Sequence, residues 1–174
     1  MKAIPVLYTA RCVLSTVTSA DILVLCQILD DADTRRFLPE LCEVFQTEGS
    51  LKQFIASFDK YLQQNEGILW GIRKEDTFIG FIAIMDTPDN PTLFYAMHPA
   101  YRNQGLMKES LVKTEQYICE NKVCQMISSE AYYENTISKK LLRDIGLQVY
   151  KEDGCKSYYF KEIKHVSNQK SIID

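Results

Sequence analysis

YAMHPAYRNQGLMKESL, the sequence of residues 95–111, predicts a strand, a short loop and a helix in direct succession. The strand begins within the apolar run 93–97, whose composition is typical of a strand buried on both faces. His98-Pro99 ends it, because proline has no N–H group for a ladder hydrogen bond. One side of the helix that follows carries Leu106, Ser110 and Leu111. The segment is therefore expected to place a helix N-terminus at the end of a central strand.

Such a junction is suited to bind an anion. The N–H groups in the first turn of a helix have no internal partner, and the helix dipole adds partial positive charge there. Gly105 lets the backbone approach a phosphate without a Cβ atom in the way. Arg102 adds a positive charge, and Lys108 adds a second. The residues alone also allow a purely structural explanation for Gly105, because a tight connection between a strand and a helix can need a glycine without any ligand.

The order of residues in this loop matches a known pattern. Arg102-Asn103-Gln104-Gly105-Leu106-Met107, preceded by a hydrophobic strand and by His98-Pro99-Ala100-Tyr101, resembles the acetyl-CoA loop of the GNAT superfamily of N-acyltransferases. The usual pattern there is Gln/Arg-x-x-Gly-x-Gly/Ala, so Met107 departs from the common last residue. We expect the N–H group of Met107 to face the pyrophosphate and its side chain to pack elsewhere.

A second segment supports the resemblance. Residues 135–147, NTISKKLLRDIGL, are similar to the other hallmark of this superfamily, Asn-x-x-Ser-x-x-Leu-Leu-x-x-(Ile/Leu)-Gly-(Phe/Leu). The segment starts 30 residues after Gly105, in the order that the superfamily requires. Asn135 is predicted to cap the N-terminus of a helix, and Gly146 is predicted to end that helix in the left-handed backbone conformation. The buried face of this helix is expected to carry Ile137, Leu141, Leu142 and Ile145.

The N-terminal part extends the likeness. Thr9-Ala10-Arg11-Cys12-Val13-Leu14, followed by Asp21, resembles the start of the ribosomal-protein N-terminal acetyltransferase (RimJ/RimL-type) branch of the superfamily. The resemblance implies acetyl-CoA as the acyl donor, with no metal and no covalent enzyme intermediate.

The resemblance also assigns roles to residues. The N–H groups of Gln104–Lys108 would hold the pyrophosphate, and the main chain of 95–97 would pair with the pantetheine arm as an added strand does. Asn135 would bind that arm, and Ser138, or the nearby Tyr133, would donate to the sulfur. The predicted catalytic residues are Asn135 and Ser138. The predicted cofactor-binding residues are Tyr95, Ala96, Met97, Arg102, Asn103, Gln104, Gly105, Leu106, Met107, Lys108 and Asn135. Structural explanations stay open for Asn135 as a cap and for Ser138 as a solvated position.

The other patterns predict an α+β fold, an α/β/α sandwich. Strands are expected at 6–17, 68–72, 78–84, 93–97, 123–129, 147–150 and 156–163, and helices at 21–31, 51–62, 105–120 and 135–146. They predict a mixed, mostly antiparallel sheet of about six to seven strands with helices on both faces. We expect one domain over residues 1–174, with a frayed polar tail from His165 to Asp174.

Composition narrows the class of protein. The 174 residues are 46% hydrophobic and 25% charged, which favours a folded domain over a disordered chain. A net charge of −3 argues against nonspecific nucleic-acid binding and suits a basic substrate. The six cysteines contain no C-x-x-C pair and the two histidines lie far apart, so reduced thiols and no metal site are expected. With no apolar run of about 18 residues and no signal-peptide pattern, we expect a cytoplasmic protein.

These features predict an acetyl-CoA-dependent N-acetyltransferase that acts as a monomer or homodimer. Its acceptor would be a protein N-terminus or a small amine, with a polyamine, an aminoglycoside or an amino acid as open alternatives. Residues 34–50 are expected beside the acceptor groove. No general base is assigned among Glu40, Glu43, Glu130 and His98. A non-catalytic acyl-CoA sensor with the same fold is the alternative from another class.

Overall fold

The computed structural model describes residues 2–87 and 89–163, and its strands form one sheet. In chain order the strands are β1 (Leu7–Tyr8), β2 (Val13–Thr16), β3 (Gly67–Lys74), β4 (Thr77–Met85), β5 (Thr92–Met97), β6 (Met126–Tyr132), β7 (Gln148–Glu152) and β8 (Lys156–Glu162). Their order across the sheet is β1-β2-β3-β4-β5-β6-β8-β7. Only the β5–β6 pair is parallel in this part of the chain. The predicted mixed, mostly antiparallel sheet is confirmed. The predicted tail 165–174 lies outside the described residues.

The sheet has eight strands rather than six to seven, because the predicted first strand folds as a hairpin. Thr9 and Cys12 form its turn, where the Thr9 N–H donates to the Cys12 carbonyl at 2.9 Å. The Cys12 N–H donates in return to the Thr9 hydroxyl at 2.8 Å. This local side-chain bond bends the chain and divides one apolar run into β1 and β2.

Helices cover both faces of the sheet, as predicted. They are α1 (Ile22–Asp30), α2 (Ala32–Phe37), α3 (Pro39–Val44), α4 (Glu48–Gln64), α5 (Leu106–Glu120) and α6 (Thr136–Asp144), with 3₁₀ turns at Ser19–Asp21 and Pro99–Tyr101. Helices α5 and α6 bury Leu106, Leu111 and Leu142 against one face. Helices α1 and α4 bury Leu25 and Phe58 against the other. Among the described residues, no helix is long and apolar enough to cross a membrane.

Local signals set the ends of the helices. Helix α4 starts at Glu48, because Thr47 caps it and accepts from the Ser50 N–H. The helix therefore starts three residues before the predicted residue 51, and Gly49 and Ser50 belong to its first turn. In α6, Leu142 and Ile145 are buried as predicted, but Ile137 is 69% exposed. The prediction for Ile137 is wrong because the first turn of α6 borders an open groove instead of the sheet.

The parallel contact between β5 and β6 is short. Its register pairs Thr92 with Ser128, and no further pair follows among the described residues. The last link between the strands is a bond from the Ser129 hydroxyl to the Leu93 carbonyl, at 2.9 Å. Beyond this point the strands separate, so the C-terminal half of β5 keeps one free edge in the middle of the sheet.

Replacement of Gly80 by Ala tests the close approach that supports this edge. Gly80 lies on β4, and a Cβ atom there would stand 2.6 Å from the Ala96 carbonyl oxygen of β5. Since backbone cannot move as a side chain does, we expect Gly80→Ala to lower the free energy of unfolding by about 2 kcal/mol, measured by urea denaturation. Gly49→Ala is the control, because its nearest neighbour would be Thr47 Oγ1 at 3.8 Å. Equal stabilities of the two variants would refute the steric argument.

Candidate active site

The free edge of β5 presents main-chain groups to the gap between β5 and β6. The His98 N–H donates to the Ile79 carbonyl of β4 at 2.8 Å. Since hydrogen bonding alternates along an antiparallel strand, the main-chain groups of Ala96, two residues earlier, also face β4. The N–H groups and carbonyls of Tyr95 and Met97 therefore point to the gap. Ala96 is adjacent to the gap but directs its own groups away from it.

The loop after β5 ends in a helix N-terminus with unpaired N–H groups. Gly105 has φ +77° and is the residue before α5. The first helical bond runs from the Glu109 N–H to the Gly105 carbonyl, at 3.1 Å. In the part of the chain that the structure describes, no hydrogen bond is made by the N–H groups of 105–108. Met107 packs its side chain partly against the core.

Arg102 holds this loop against the neighbouring helix α2. Its Nε donates to the Met97 carbonyl at 2.9 Å, and its Nη2 to Asp31 at 2.7 Å and to the Thr34 hydroxyl at 2.9 Å. Asp31 also caps α2, because it accepts from the Thr34 N–H at 3.0 Å. Burial alone would raise the pKa of Asp31, but the bonds from Arg102 and Thr34 outweigh it and hold this pKa below its ordinary value. The predicted contact between Arg102 and a phosphate stays a prediction, since its guanidinium is bonded to protein acceptors.

Other cations surround the loop. Arg11, from the β1–β2 turn, donates from Nη1 to the Gln104 carbonyl at 2.9 Å and from Nε to Glu109 at 2.8 Å. Its Nη2 would lie 3.4 Å from a Cβ atom at Gly105. Lys108 extends to Asp144, 3.0 Å away. The loop thus has two basic side chains beside its free N–H groups, and only Lys108 was predicted.

The second predicted motif forms the opposite wall of the gap. Asn135 caps α6, because its side-chain oxygen accepts from the Ser138 N–H at 3.0 Å. The Ser138 hydroxyl lies 2.9 Å from the phenol oxygen of Tyr95. Burial raises the pKa of Tyr95 to about 12, the bond with Ser138 lowers it by a smaller amount, and nearby Tyr159 raises it further. At neutral pH Tyr95 is therefore a protonated phenol that can donate to Ser138.

The structure separates Tyr133 from this wall. Its ring is 51% exposed, and the Lys139 ammonium lies over it at 3.9 Å. The phenol that meets Ser138 belongs to Tyr95, for which only main-chain contacts were predicted. The apolar run 93–97 gave no sign of this contact, because a strand tyrosine is interpreted as a packing residue until its cross-sheet partner is known.

The candidate general bases take different positions. Glu40 and Glu130 line the groove, and both bond to the Lys156 ammonium. Burial alone would raise the pKa of Glu40, but its own backbone N–H and Lys156 together hold this pKa below its ordinary value. Glu43 is exposed on α3 and is not part of the described groove wall. His98 accepts from the Ala100 N–H through Nδ1 at 3.3 Å, so its ring stabilises the turn after β5.

The free edge of β5, residues 105–108, Asn135, Ser138, Glu40 and Glu130 border one groove of about 1090 Å³, which runs through the gap from the α5 loop to helices α2–α4. No cluster of three or more potential metal ligands occurs among the described residues. No disulfide joins the six cysteines, and Cys155 is exposed. A helix N-terminus beside an unpaired strand edge fits a long anionic cofactor that lies along the strand. The fold and site therefore define an acyltransferase of the class that uses coenzyme A thioesters.

The family follows from the sequence match. Residues 11–148 match the Acetyltransferase (GNAT) domain, and the chain belongs to that family. It is accordingly an acetyltransferase with acetyl-CoA as its donor. No curated protein matches the sequence.

Solved structures share the fold at low identity. RimL, a ribosomal L7/L12 alpha-N-protein acetyltransferase in complex with coenzyme A, has a TM-score of 0.81 and 12% identity over 91% of this chain and 98% of its own. A Salmonella typhimurium acetyltransferase that modifies the N-terminal serine of the 50S subunit protein L7/L12 has a TM-score of 0.77 and 11% identity, over 92% of this chain and 100% of its own. Mycobacterium smegmatis RimJ, in complex with CoA-disulfide, has a TM-score of 0.71 and 13% identity, over 92% of this chain and 87% of its own.

The Arg102–Asp31 pair generates a pH prediction. The pKa of Asp31 is lower in the folded chain than its ordinary 3.8. Its stabilising contribution is therefore complete above about pH 3.8 and is lost as the pH falls through the lowered pKa. We expect Asp31→Asn to reduce the free energy of unfolding at pH 7 by about 1–3 kcal/mol, and by less at pH 3.

Chemical denaturation at the two pH values measures this difference. Asp30→Asn is the matched control, because Asp30 is 69% exposed and pairs with Arg35 at the surface. We expect it to leave stability nearly unchanged at both pH values. If the two variants lost the same stability at pH 7, Asp31 would not anchor the loop.

Proposed function

We propose that the chain transfers an acetyl group directly from acetyl-CoA to a primary amine, as an N-acetyltransferase. The observation that carries this proposal is the run of unpaired N–H groups at 105–108, placed at the end of a strand whose edge is also free. The N–H groups at 105–108 can hold a diphosphate, while the free edge of β5 holds an arm that contains amides. Together they align a thioester along β5.

The main chain of β5 orients the donor. The Tyr95 N–H and carbonyl and the Met97 N–H face the gap, so they pair with the amides of the pantetheine arm as a neighbouring strand would. The Met97 carbonyl already accepts from Arg102, which fixes its direction. Asn135 borders the same groove, and its side-chain NH₂ is available to the arm while its oxygen caps α6. The role assigned to Ala96 is packing, since its main chain pairs with β4.

Ser138 and Tyr95 stabilise the leaving group. Acetyl-CoA supplies an activated acyl group whose thiolate departs when an amine attacks the carbonyl. The Ser138 hydroxyl donates a hydrogen bond to the departing sulfur, and the Tyr95 phenol donates to the Ser138 oxygen. This order leaves the Ser138 proton directed into the gap. A bond from a second donor also strengthens the first, because hydrogen bonds in a chain polarise one another.

The amine must be neutral when it attacks. An α-amino group has an ordinary pKa of about 7.7–8.0, so a useful fraction is neutral near pH 7 without a strong base. Glu40 and Glu130 line the same groove, where their carboxylates attract the ammonium, and water accepts the proton that it loses. Attack is direct, and no nucleophilic side chain is needed.

Replacement of Gly105 tests the diphosphate site. Gly105→Val places a side chain where the anion would approach, so we expect the Kd of acetyl-CoA by calorimetry to rise by about tenfold or more. The residue has φ +77°, so backbone strain must be controlled. Gly154→Val is the control, because Gly154 has φ +86° and a Cβ atom there would have no heavy atom within 4 Å. Unchanged affinity in Gly105→Val would remove the loop from the site.

Replacements of Ser138 and Tyr95 test the sulfur donor. We expect Ser138→Ala to lower kcat by about 10- to 100-fold while the Kd of acetyl-CoA changes little. Tyr95→Phe keeps the ring and removes the bond, so it should lower kcat by less, and the double variant should resemble Ser138→Ala alone. A thiol-release assay with saturating acceptor measures all three. Additive effects would show that Tyr95 does not act through Ser138, and a normal rate in Ser138→Ala would remove Ser138 from the chemistry.

A further inference from the structure

The groove has a second half beyond the gap, under helices α2–α4. We call it the acceptor half, and its wall is formed mainly by Phe37, Leu41, Val44, Phe45, Phe54 and Tyr61. The whole groove measures about 1090 Å³. Sites for drug-sized ligands measure about 300–1,000 Å³, so the groove has room for a second small molecule beside a pantetheine arm. Its wall is suited to an apolar or aromatic body.

Charge is divided between the two ends of the groove. Glu40 and Glu130 line the acceptor half. At the end near α5, Lys108 and Lys140 line the groove and share Asp144, and Asp33 lies 3.6 Å from Arg102. Lys156 lies 3.1 Å from Glu40 and 2.5 Å from Glu130, so two carboxylates share one ammonium and the acceptor half stays negative. This half therefore favours a cation, and the opposite end favours the diphosphate.

Side chains close the acceptor half towards β6. The Phe37 and Tyr132 rings meet with centroids 6.4 Å apart, which connects α2 to the end of β6. The Glu40–Lys156 ion pair connects α3 to β8. The Lys156 ammonium also lies 4.6 Å from the centre of the Tyr132 ring, so the two bridges support each other. A polypeptide that continued in this direction would have to break both.

We propose that the acceptor is a small primary amine that carries an aromatic or comparably bulky apolar group. Its ammonium is attracted by the carboxylates before it loses a proton, and its apolar body packs on the wall formed by α2–α4. The bridges at Phe37–Tyr132 and Glu40–Lys156 enclose that body. This inference rests on the proposed function, because it names the acceptor of the same transfer.

An amine panel tests the acceptor class. Calorimetry with acetyl-CoA comes first, since lack of binding would overturn the proposed function itself. Thiol release is then measured with phenethylamine, spermidine, a peptide that begins with Ser and a peptide that begins with Phe. Because burial of a phenyl group favours binding and the two bridges exclude a polypeptide, we expect kcat/KM for phenethylamine to exceed each of the others by about tenfold or more.

The other outcomes overturn the inference but not the transfer. A preference for spermidine or for the Ser peptide would show that the apolar wall does not select the acceptor. A preference for the Phe peptide over phenethylamine would show that the groove opens to a polypeptide. In either case acetyl-CoA would still be bound and consumed, so the proposed acetyl transfer would stand although the proposed acceptor class would be refuted.

A matched pair of variants localises the acceptor. Val44 lines the acceptor half and is 64% exposed, so Val44→Lys can be made without disturbing the core. It places a cation in the wall on which the apolar body would pack, and we expect the KM for phenethylamine to rise by about tenfold with the Kd of acetyl-CoA unchanged. Leu23→Lys is the control, because Leu23 on α1 is 72% exposed and outside the groove wall. Equal KM values for the two variants would overturn the assignment of this wall.

Discussion

Between β5 and β6 the sheet is held by one register pair, Thr92 with Ser128, and by the bond from Ser129 to Leu93. The separation that follows leaves one edge of the C-terminal half of β5 without a strand neighbour among the described residues, while its other edge pairs with β4. Buried main-chain groups require partners, so an open edge inside a sheet is costly unless a ligand or water completes it. The rest of the site depends on this gap, because the groove runs through it from the α5 loop to helices α2–α4.

The loop beside the gap is organised by long-range polar contacts. Arg102 joins the end of β5 to α2, and Arg11 joins the β1–β2 turn to the start of α5. Neither guanidinium is left to solvent alone, so each acts as a structural cross-link as well as a source of positive potential. Such cross-links reduce the freedom of the loop before a ligand arrives, and pre-organisation of this kind lowers the cost of binding.

The two halves of the groove differ in chemistry because different faces of the sheet build them. The α5–α6 side supplies main-chain N–H groups, lysines and the hydroxyl pair of Tyr95 and Ser138. Side chains on the α1–α4 side supply rings and carboxylates. Side chains alternate between the two faces along β5, so this short strand contributes to both halves of the groove. Tyr95 and Met97 face one layer of helices, and Phe94 and Ala96 face the other.

Short-range signals were sufficient for the elements that carry the motifs. The cap at Asn135, the left-handed residue at Gly146, and the strand–loop–helix order around Gly105 all follow from bonds between near neighbours in sequence, and the structure contains each of them. The family resemblance rests on the same local order. For that reason the sequence by itself determined the fold class, the family and the position of the helix N-terminus that faces the gap.

Only the tertiary structure decided which side chains meet. Tyr95 and Ser138 are 43 residues apart, Arg102 and Asp31 are 71 apart, and Arg11 and Gln104 are 93 apart. These contacts depend on the order of strands in the sheet and on which face each residue takes, neither of which is encoded in a local pattern. The same dependence explains the division of the first strand into β1 and β2, the exposure of Ile137 and the apolar lining of the acceptor half.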